Sequence, residues 1–213
     1  MLNYYPVSLN LENKQCLVVG AGPVAARKVA RLLDCGALVT VIAPVINAGL
    51  KALAKKKKIT LKHNRVNLSD LNRAFLVISA TGERKINTLI SAYCRKKGIL
   101  VNVVDAPSEC NFILPSILRR GDLTIAISTN GVSPALSKKI RQELEQKFGV
   151  EYLKLLRILE EIRPEALKKI KSPESRKIFF EKAVQTKMLN LLKKNKEGRV
   201  RVKLRAILKN AAV

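Results

Sequence analysis

Tryptophan is absent from this 213-residue chain, aromatic residues make up only 4% of it, and its single histidine, His63, stands in a polar stretch. So few rings leave little for reading nucleic-acid bases by stacking, and no nucleic-acid motif is present, so no nucleic-acid partner is expected. One histidine also supplies neither a histidine-based metal site nor a Ser-His-Asp triad, and no metal ligands are expected. The four cysteines, Cys16, Cys35, Cys94 and Cys110, form no C-x-x-C pair, which argues against a zinc ribbon or a dithiol redox site and for free thiols. No stretch approaches the roughly 18 apolar residues of a membrane span. The opening Met1-Leu2-Asn3-Tyr4-Tyr5-Pro6 has neither the basic nor the apolar part of a leader. The expectation is a soluble cytoplasmic protein with no membrane partner. Acidic residues are scarce too, 16 against 41 Lys and Arg, for a net charge of +25. Both halves of the chain share the excess, so no single tail explains it. A polyanionic partner, a membrane surface or solubility alone would account for it.

What is present is an alternation of short apolar runs and helical stretches. Residues 14–20 read as a buried strand that ends abruptly at Gly20, and Pro23 opens a helix whose apolar positions include Val24, Val29, Leu32 and Leu33 before Gly36. A β-branched run at 38–43 closes at Pro44. A helix, a weaker strand at 59–62, a strand at 75–80, a helix at 83–97 and a strand at 99–104 follow. Strands alternating with helices at this spacing predict a doubly wound parallel sheet. Beyond Asp105 come a loop at 106–111, the apolar Phe112-Ile113-Leu114, a strand-like 123–128, and a helix capped by Ser133 with Pro134 in its first turn. From Val150 the composition is helical, with breaks expected at Arg163-Pro164 and Ser172-Pro173. The stretch from Lys193 is basic enough for a frayed tail or a solvated helix.

Gly20-Ala21-Gly22-Pro23-Val24-Ala25 fits G-x-G-x-x-A between a strand and a helix. The first glycine permits the tight turn, the second lets the backbone approach a pyrophosphate, and Ala25 permits close helix packing. The acidic residue that would bind an NAD ribose about 20 positions on is missing, since no Asp or Glu lies between Asp34 and Asp70. Backbone groups of the Ala43-Pro44-Val45-Ile46-Asn47 segment, or Asn47 itself, are the substitutes at that place. NAD and NADP are not distinguished by these residues.

Several blocks together resemble the precorrin-2 dehydrogenase family, also found as the N-terminal module of siroheme synthases. They are Tyr5-Pro6-Val7, Gly20 through Lys28, Ala80-Thr81, Val101-Asn102-Val103-Val104-Asp105-Ala106-Pro107, Phe112-Ile113-Leu114-Pro115-Ser116, and Ile127 through Leu136 followed by Arg141. The resemblance covers roughly the first 150 residues. It implies a Rossmann-type domain at 1–113, a small α+β dimerisation segment at 114–149 and a helical C-terminal domain with a basic tail at 150–213, working as a homodimer. It implies an NAD-dependent oxidation of the polycarboxylate tetrapyrrole precorrin-2 to sirohydrochlorin, to which some members add ferrous iron insertion. Gly20, Gly22, Pro23, Val24, Ala25, Pro44, Val45 and Thr81 are the implied dinucleotide contacts, and Asp105 matches the family's important aspartate.

Asp105 is then either a base that takes a substrate proton or a residue that caps the turn after it. Ser128, Thr129 and Asn130 form a polar turn before a helix, suited to carboxylates of the substrate or to ordinary capping; Asn111 and Ser116 are further substrate-binding candidates. The run Lys55-Lys56-Lys57-Lys58 reads as a solvated helix end, and the wider positive field would steer a polyanion. A nonenzymatic NAD(P) sensor accounts for the glycine loop but gives no reason for the Asp105 and 127–136 blocks.

Overall fold

The computed structural model describes residues 4–211 and divides into two compact units, the first ending at Leu114 and the second starting at Pro115. In the first, β1 (Gln15–Val19), β2 (Leu38–Ile42), β3 (Ile59–Lys62), β4 (Leu76–Ser79) and β5 (Leu100–Val103) form one parallel sheet in the order β3-β2-β1-β4-β5. The order reverses beside β1, so the sheet is the doubly wound Rossmann type with its switch point at the end of that strand.

The sequence makes such a sheet because helices cover both faces and side chains alternate between them. Cys16 and Val18 of β1 enter one core with α1 (Pro23–Leu33) and α2 (Ala48–Lys55) through Ala25, Val29 and Leu50, while Leu17 and Val19 enter another with Ile90 and Cys94 of α3 (Arg84–Lys97). Each fully buried Val or Ile here stabilises the fold by roughly 1.5–3 kcal/mol. Gly98 ends α3 in a left-handed conformation at φ 69°, the usual glycine C-cap.

All four cysteines are free, with Cys35 alone among them exposed. Burial pushes the Cys16 and Cys94 thiols up to about 11, so neither supplies thiolate at neutral pH. Native protein mixed with excess thiol reagent is therefore expected to lose one thiol quickly and four only after unfolding, read by mass; rapid modification of Cys16 or Cys94 would show that the sheet faces open.

The second unit begins with a hairpin of which the sequence pattern reveals only one strand. β6 (Ser116–Arg120) pairs antiparallel with β7 (Leu123–Ile127), Arg120 opposite Leu123 and Leu118 opposite Ile125. The turn signal is Gly121-Asp122, with Gly121 at φ 62°, a two-residue hairpin connection; the adjacent arginines disguise a strand of which Leu118 is the buried anchor. Then come α4 (Pro134–Lys147), α5 (Val150–Lys169), α6 (Pro173–Ala183), α7 (Thr186–Lys193) and α8 (Glu197–Ala211). Ser133 caps α4 by accepting from the Leu136 N–H at 3.2 Å.

Two expectations are corrected in this region. Pro164 does not break the chain but lies inside α5. Its missing N–H leaves the Glu160 carbonyl without a helical donor, a cost of about 3 kcal/mol, but Leu155, Ile158, Ile162 and Ala166 continue one buried stripe across it. Glu160 itself faces water. The basic C-terminal stretch is neither frayed nor merely solvated: α8 buries Val200, Leu204 and Leu208 among Phe179, Met188 and Leu192, with its lysines and arginines on the remaining faces. Spacing of four between those apolar residues is the signal. The Ser172-Pro173 break stands, Ser172 capping α6.

Candidate functional site

A cleft of about 280 Å³ crosses the carboxyl ends of four adjacent strands of the first unit. It is lined by Thr81, Gly82 and Glu83 after β4, by Gly20, Ala21 and Gly22 after β1, by Ala43, Pro44 and Val45 after β2, and by Arg65 and Val66 after β3. Open parallel sheets offer ligands this edge because the strand ends diverge at the switch point.

The glycine turn is fixed by its neighbours. The Gly20 N–H donates to the Ile42 carbonyl at 2.9 Å and the Ala80 N–H to the Val19 carbonyl at 2.8 Å, so the turn is bonded to the strands on both sides. Gly20 has φ 106°, and a Cβ on it would fall 2.4 Å from the Ala80 oxygen. Gly22 differs, since a Cβ there would meet nothing within 4 Å. It is the N-cap of α1 with no side-chain cap. The first intrahelical bond is from Ala26 N–H to Gly22 carbonyl, so the Val24 and Ala25 N–H groups precede it and end the helix as unclaimed donors. An open glycine beside free amides at a helix N-terminus fits a diphosphate. Pro23 and Val24 form the first turn beside the cleft, while Ala25 is fully buried and packs α1 on the sheet.

Asn47 is committed elsewhere. Its Nδ2 donates to the Ala21 carbonyl at 2.7 Å and its Oδ1 accepts from the Leu50 N–H at 2.9 Å, so it caps α2 and ties it to the glycine turn. Pro44 and Val45 form the surface at the end of β2; Val45 is 82% exposed.

Beside this cleft lies a second cavity of about 330 Å³, bordered by Arg84, Asn87, Asp105, Pro107 and Glu109 among others. Asn87 links the two. Its Oδ1 accepts from Ser79 Oγ at 2.7 Å and Thr81 Oγ1 at 3.0 Å, and its Nδ2 donates to the Thr81 carbonyl at 3.2 Å. Thr81 thus lines one cleft while it is bonded to a residue of the other. Sequence pattern does not single out Asn87; the available signal is an amide one turn into α3, on the face that also carries the buried Ile90 and Cys94.

Asp105 leaves β5 in the left-handed region, φ 59°, which costs Asp less than most residues. The 3-10 turn that follows, Pro107–Glu109, is capped from Ala106 without any side-chain bond. The Asp105 carboxylate makes no hydrogen bond or ion pair among the described residues, and it is exposed. Turn capping therefore does not explain it. The loop that carries it is held from below instead. Cys110 Sγ accepts from the Val103 N–H at 3.2 Å, Ser91 Oγ donates to the Glu109 carbonyl at 2.6 Å, and Arg95 donates to the Ser108 and Cys110 carbonyls at 2.6 and 3.0 Å. Facing this loop from α1, Lys28 has a lowered amine pKa because of burial first and then Arg31 and Arg27, with Asp105 acting in the opposite direction.

Asn111 is hydrogen-bonded to the sheet edge. Its Oδ1 accepts from the Val101 N–H at 2.7 Å and its Nδ2 donates to the Ile99 carbonyl at 2.8 Å, continuing the sheet edge with its amide. The other substrate-binding candidates belong to the second unit. Ser116 pairs with Ile127 at the open end of the hairpin. Ser128 Oγ accepts from the Asn130 N–H at 3.1 Å and Thr129 Oγ1 from the Ser133 N–H at 3.0 Å, while Asn130 turns the chain at φ 52°. Among the described residues no three His, Cys, Asp or Glu side chains come together as a metal-holding group, and no helix is long and apolar enough to cross a membrane.

Comparison with known proteins accords with this geometry. A family described as putative NAD(P)-binding matches residues 7–116, and one described as sirohaem biosynthesis protein central matches residues 120–147. A siroheme synthase of Nitrosococcus oceani is 39% identical over 184 residues, 86% of this chain and 39% of the relative. One of Psychrobacter arcticus is 35% identical over 211 residues, 99% of this chain and 38% of the relative. The chain thus spans about two fifths of the length of these curated relatives. Among solved structures, SirC, a precorrin-2 dehydrogenase, superposes with a TM-score of 0.81 at 27% identity, covering 95% of this chain and all of the other.

Proposed function

The chain belongs to the precorrin-2 dehydrogenase family, which also supplies the NAD(P)-binding module of siroheme synthases, and from that premise we propose that it oxidises precorrin-2 to sirohydrochlorin with NAD as hydride acceptor. The observation that carries the proposal is the pairing of a built dinucleotide cleft with a free carboxylate, Asp105, in a second cavity, Thr81 of the one being hydrogen-bonded to Asn87 of the other.

When bound, NAD supplies a nicotinamide that accepts a hydride. The Gly22, Val24 and Ala25 backbone N–H groups and the helix dipole would hold its diphosphate, with Gly20 making the turn and Pro23 opening the helix. Pro44 and the exposed Val45 offer an apolar surface to one nucleoside, and Thr81 to the other half. Asp105 is the catalytic residue: its carboxylate takes the proton that leaves the tetrapyrrole as hydride is lost, which its unpaired state supports. It would accept pyrrole protons in the same way with ferrous iron as a further substrate. The polycarboxylate substrate meets a chain of net charge +25. The protein works as a cytoplasmic homodimer.

The test is turnover of enzymatically prepared precorrin-2 with NAD, followed by absorbance. NADH and sirohydrochlorin should rise together, and ferrous iron added after oxidation ends measures any siroheme formed above the rate without enzyme. Folded protein that binds NAD yet yields no NADH would overturn the dehydrogenase reading and favour a sensor of the dinucleotide.

A further inference from the structure

The charge around the cleft is unevenly placed. The diphosphate position at Gly22 divides the cleft, with Thr81, Gly82 and Glu83 on the β4 side and Ala43, Pro44, Val45 and Arg65 on the β2 and β3 side. In a doubly wound sheet the adenosine half of a dinucleotide lies over the second strand, and discrimination occurs at its 2′ position: a carboxylate there bonds the 2′-hydroxyl and repels a phosphate, while an arginine accepts the phosphate. Here the end of β2 carries Ala43, Pro44 and Val45, and no acidic residue occurs between Asp34 and Asp70.

β3 is the edge strand beside it, with Lys62 in register with Ile42, so the chain leaving β3 runs along the outer wall of the adenosine half. It contributes His63 and Arg65, both exposed. Lys62 is occupied by Asp70 at 2.6 Å, and that pairing also holds the Asp70 carboxyl below its usual range. Arg65 makes neither an ion pair nor a side-chain hydrogen bond among the described residues, though it lines the cleft. Glu83, the acidic residue lining this cleft, stands at the opposite end.

We infer that Arg65 is a specificity-determining residue that lets this site take the 2′-phosphorylated dinucleotide, NADP, alongside NAD. The inference rests on the dinucleotide reading of the cleft. The guanidinium offers a fork of donors that matches a phosphate, and the missing carboxylate removes the usual repulsion. A charge-assisted contact of this kind changes affinity by about tenfold to a hundredfold.

Calorimetric titration of the full chain with NAD and with NADP, for wild type, Arg65→Ala and Arg65→Lys, tests it. Wild type should bind NADP within about tenfold of NAD. Arg65→Ala should weaken NADP by at least about tenfold while moving NAD less than about threefold, with Arg65→Lys recovering part of the loss. Because the Arg65 side chain is exposed and holds no other group in place among the described residues, both variants should keep the wild-type Tm. NAD binding without NADP binding, or equal losses for both ligands in Arg65→Ala, overturns the inference and leaves the dinucleotide site standing. Binding of neither ligand to wild type overturns both.

Discussion

Asp105→Ala is expected to lower kcat for precorrin-2 oxidation by about a hundredfold to ten-thousandfold, the range of a positioned general base, while NAD affinity stays at its wild-type value and Tm falls by only about 2–4 °C. The separation of effects follows from the surroundings of this residue. Its carboxylate holds nothing in place among the described residues: the turn after it is capped from Ala106, and the loop is fastened by Cys110, Ser91 and Arg95. Removing the carboxylate therefore leaves the loop anchored. The left-handed backbone at φ 59° adds about 1 kcal/mol of strain to alanine. Asp105→Asn avoids that, since asparagine tolerates the conformation while it lacks the basic oxygen, and it should show the same kinetic loss with no stability cost. Stopped turnover of both variants beside calorimetric NAD binding decides the matter. Unchanged kcat in Asp105→Asn would remove the proton-acceptor role and leave Asp105 as a contact only.

The two glycines of the turn should fail in different ways when each is replaced by alanine. In Gly20→Ala the new methyl would sit 2.4 Å from the Ala80 oxygen at φ 106°. Neither partner can yield cheaply, because the Ala80 N–H is bonded to Val19 and the Gly20 N–H to Ile42. Strain of this kind with a backbone clash costs roughly 3 kcal/mol or more, a fall in Tm of about 6–12 °C for a chain of this size, and NAD binding should be lost with the turn. In Gly22→Ala the methyl meets nothing within 4 Å and the backbone, at φ -77°, suits any residue. The fold should keep its Tm while NAD affinity falls at least about tenfold, since the methyl fills the space a diphosphate needs. Thermal melts and titrations of the pair read this directly. Equal NAD affinity in Gly22→Ala and wild type would move the diphosphate away from this turn.

The sensor reading of the same cleft meets a difficulty in these neighbours. A protein that only reported dinucleotide binding has no use for an unpaired aspartate on a loop anchored by side-chain hydrogen bonds of Cys110, Ser91, Arg95 and Asn111.

By itself the sequence determined what depends on local period and on residue shape. β1, β2, β4 and β5 were legible because strands covered on both faces need continuous apolar runs, and the glycine turn was legible because only residues without a Cβ, or with a small one, fit its conformation and packing. Asp105 could be placed at a strand end from the same pattern. The tertiary structure decided everything that depends on what lies opposite. Pro164 reads as a break until its helix has a core to bury against, and the lysine-rich C-terminus reads as a tail until Val200, Leu204 and Leu208 find Phe179 and Met188. The backbone partners of the Asn47 and Asn111 amides come into view only in the fold, and Asn87 and Arg65 have no local signature at all. Their roles come from strands that are distant in sequence and adjacent in the sheet, and that adjacency is set by burying both faces together, a requirement no short stretch of the chain expresses.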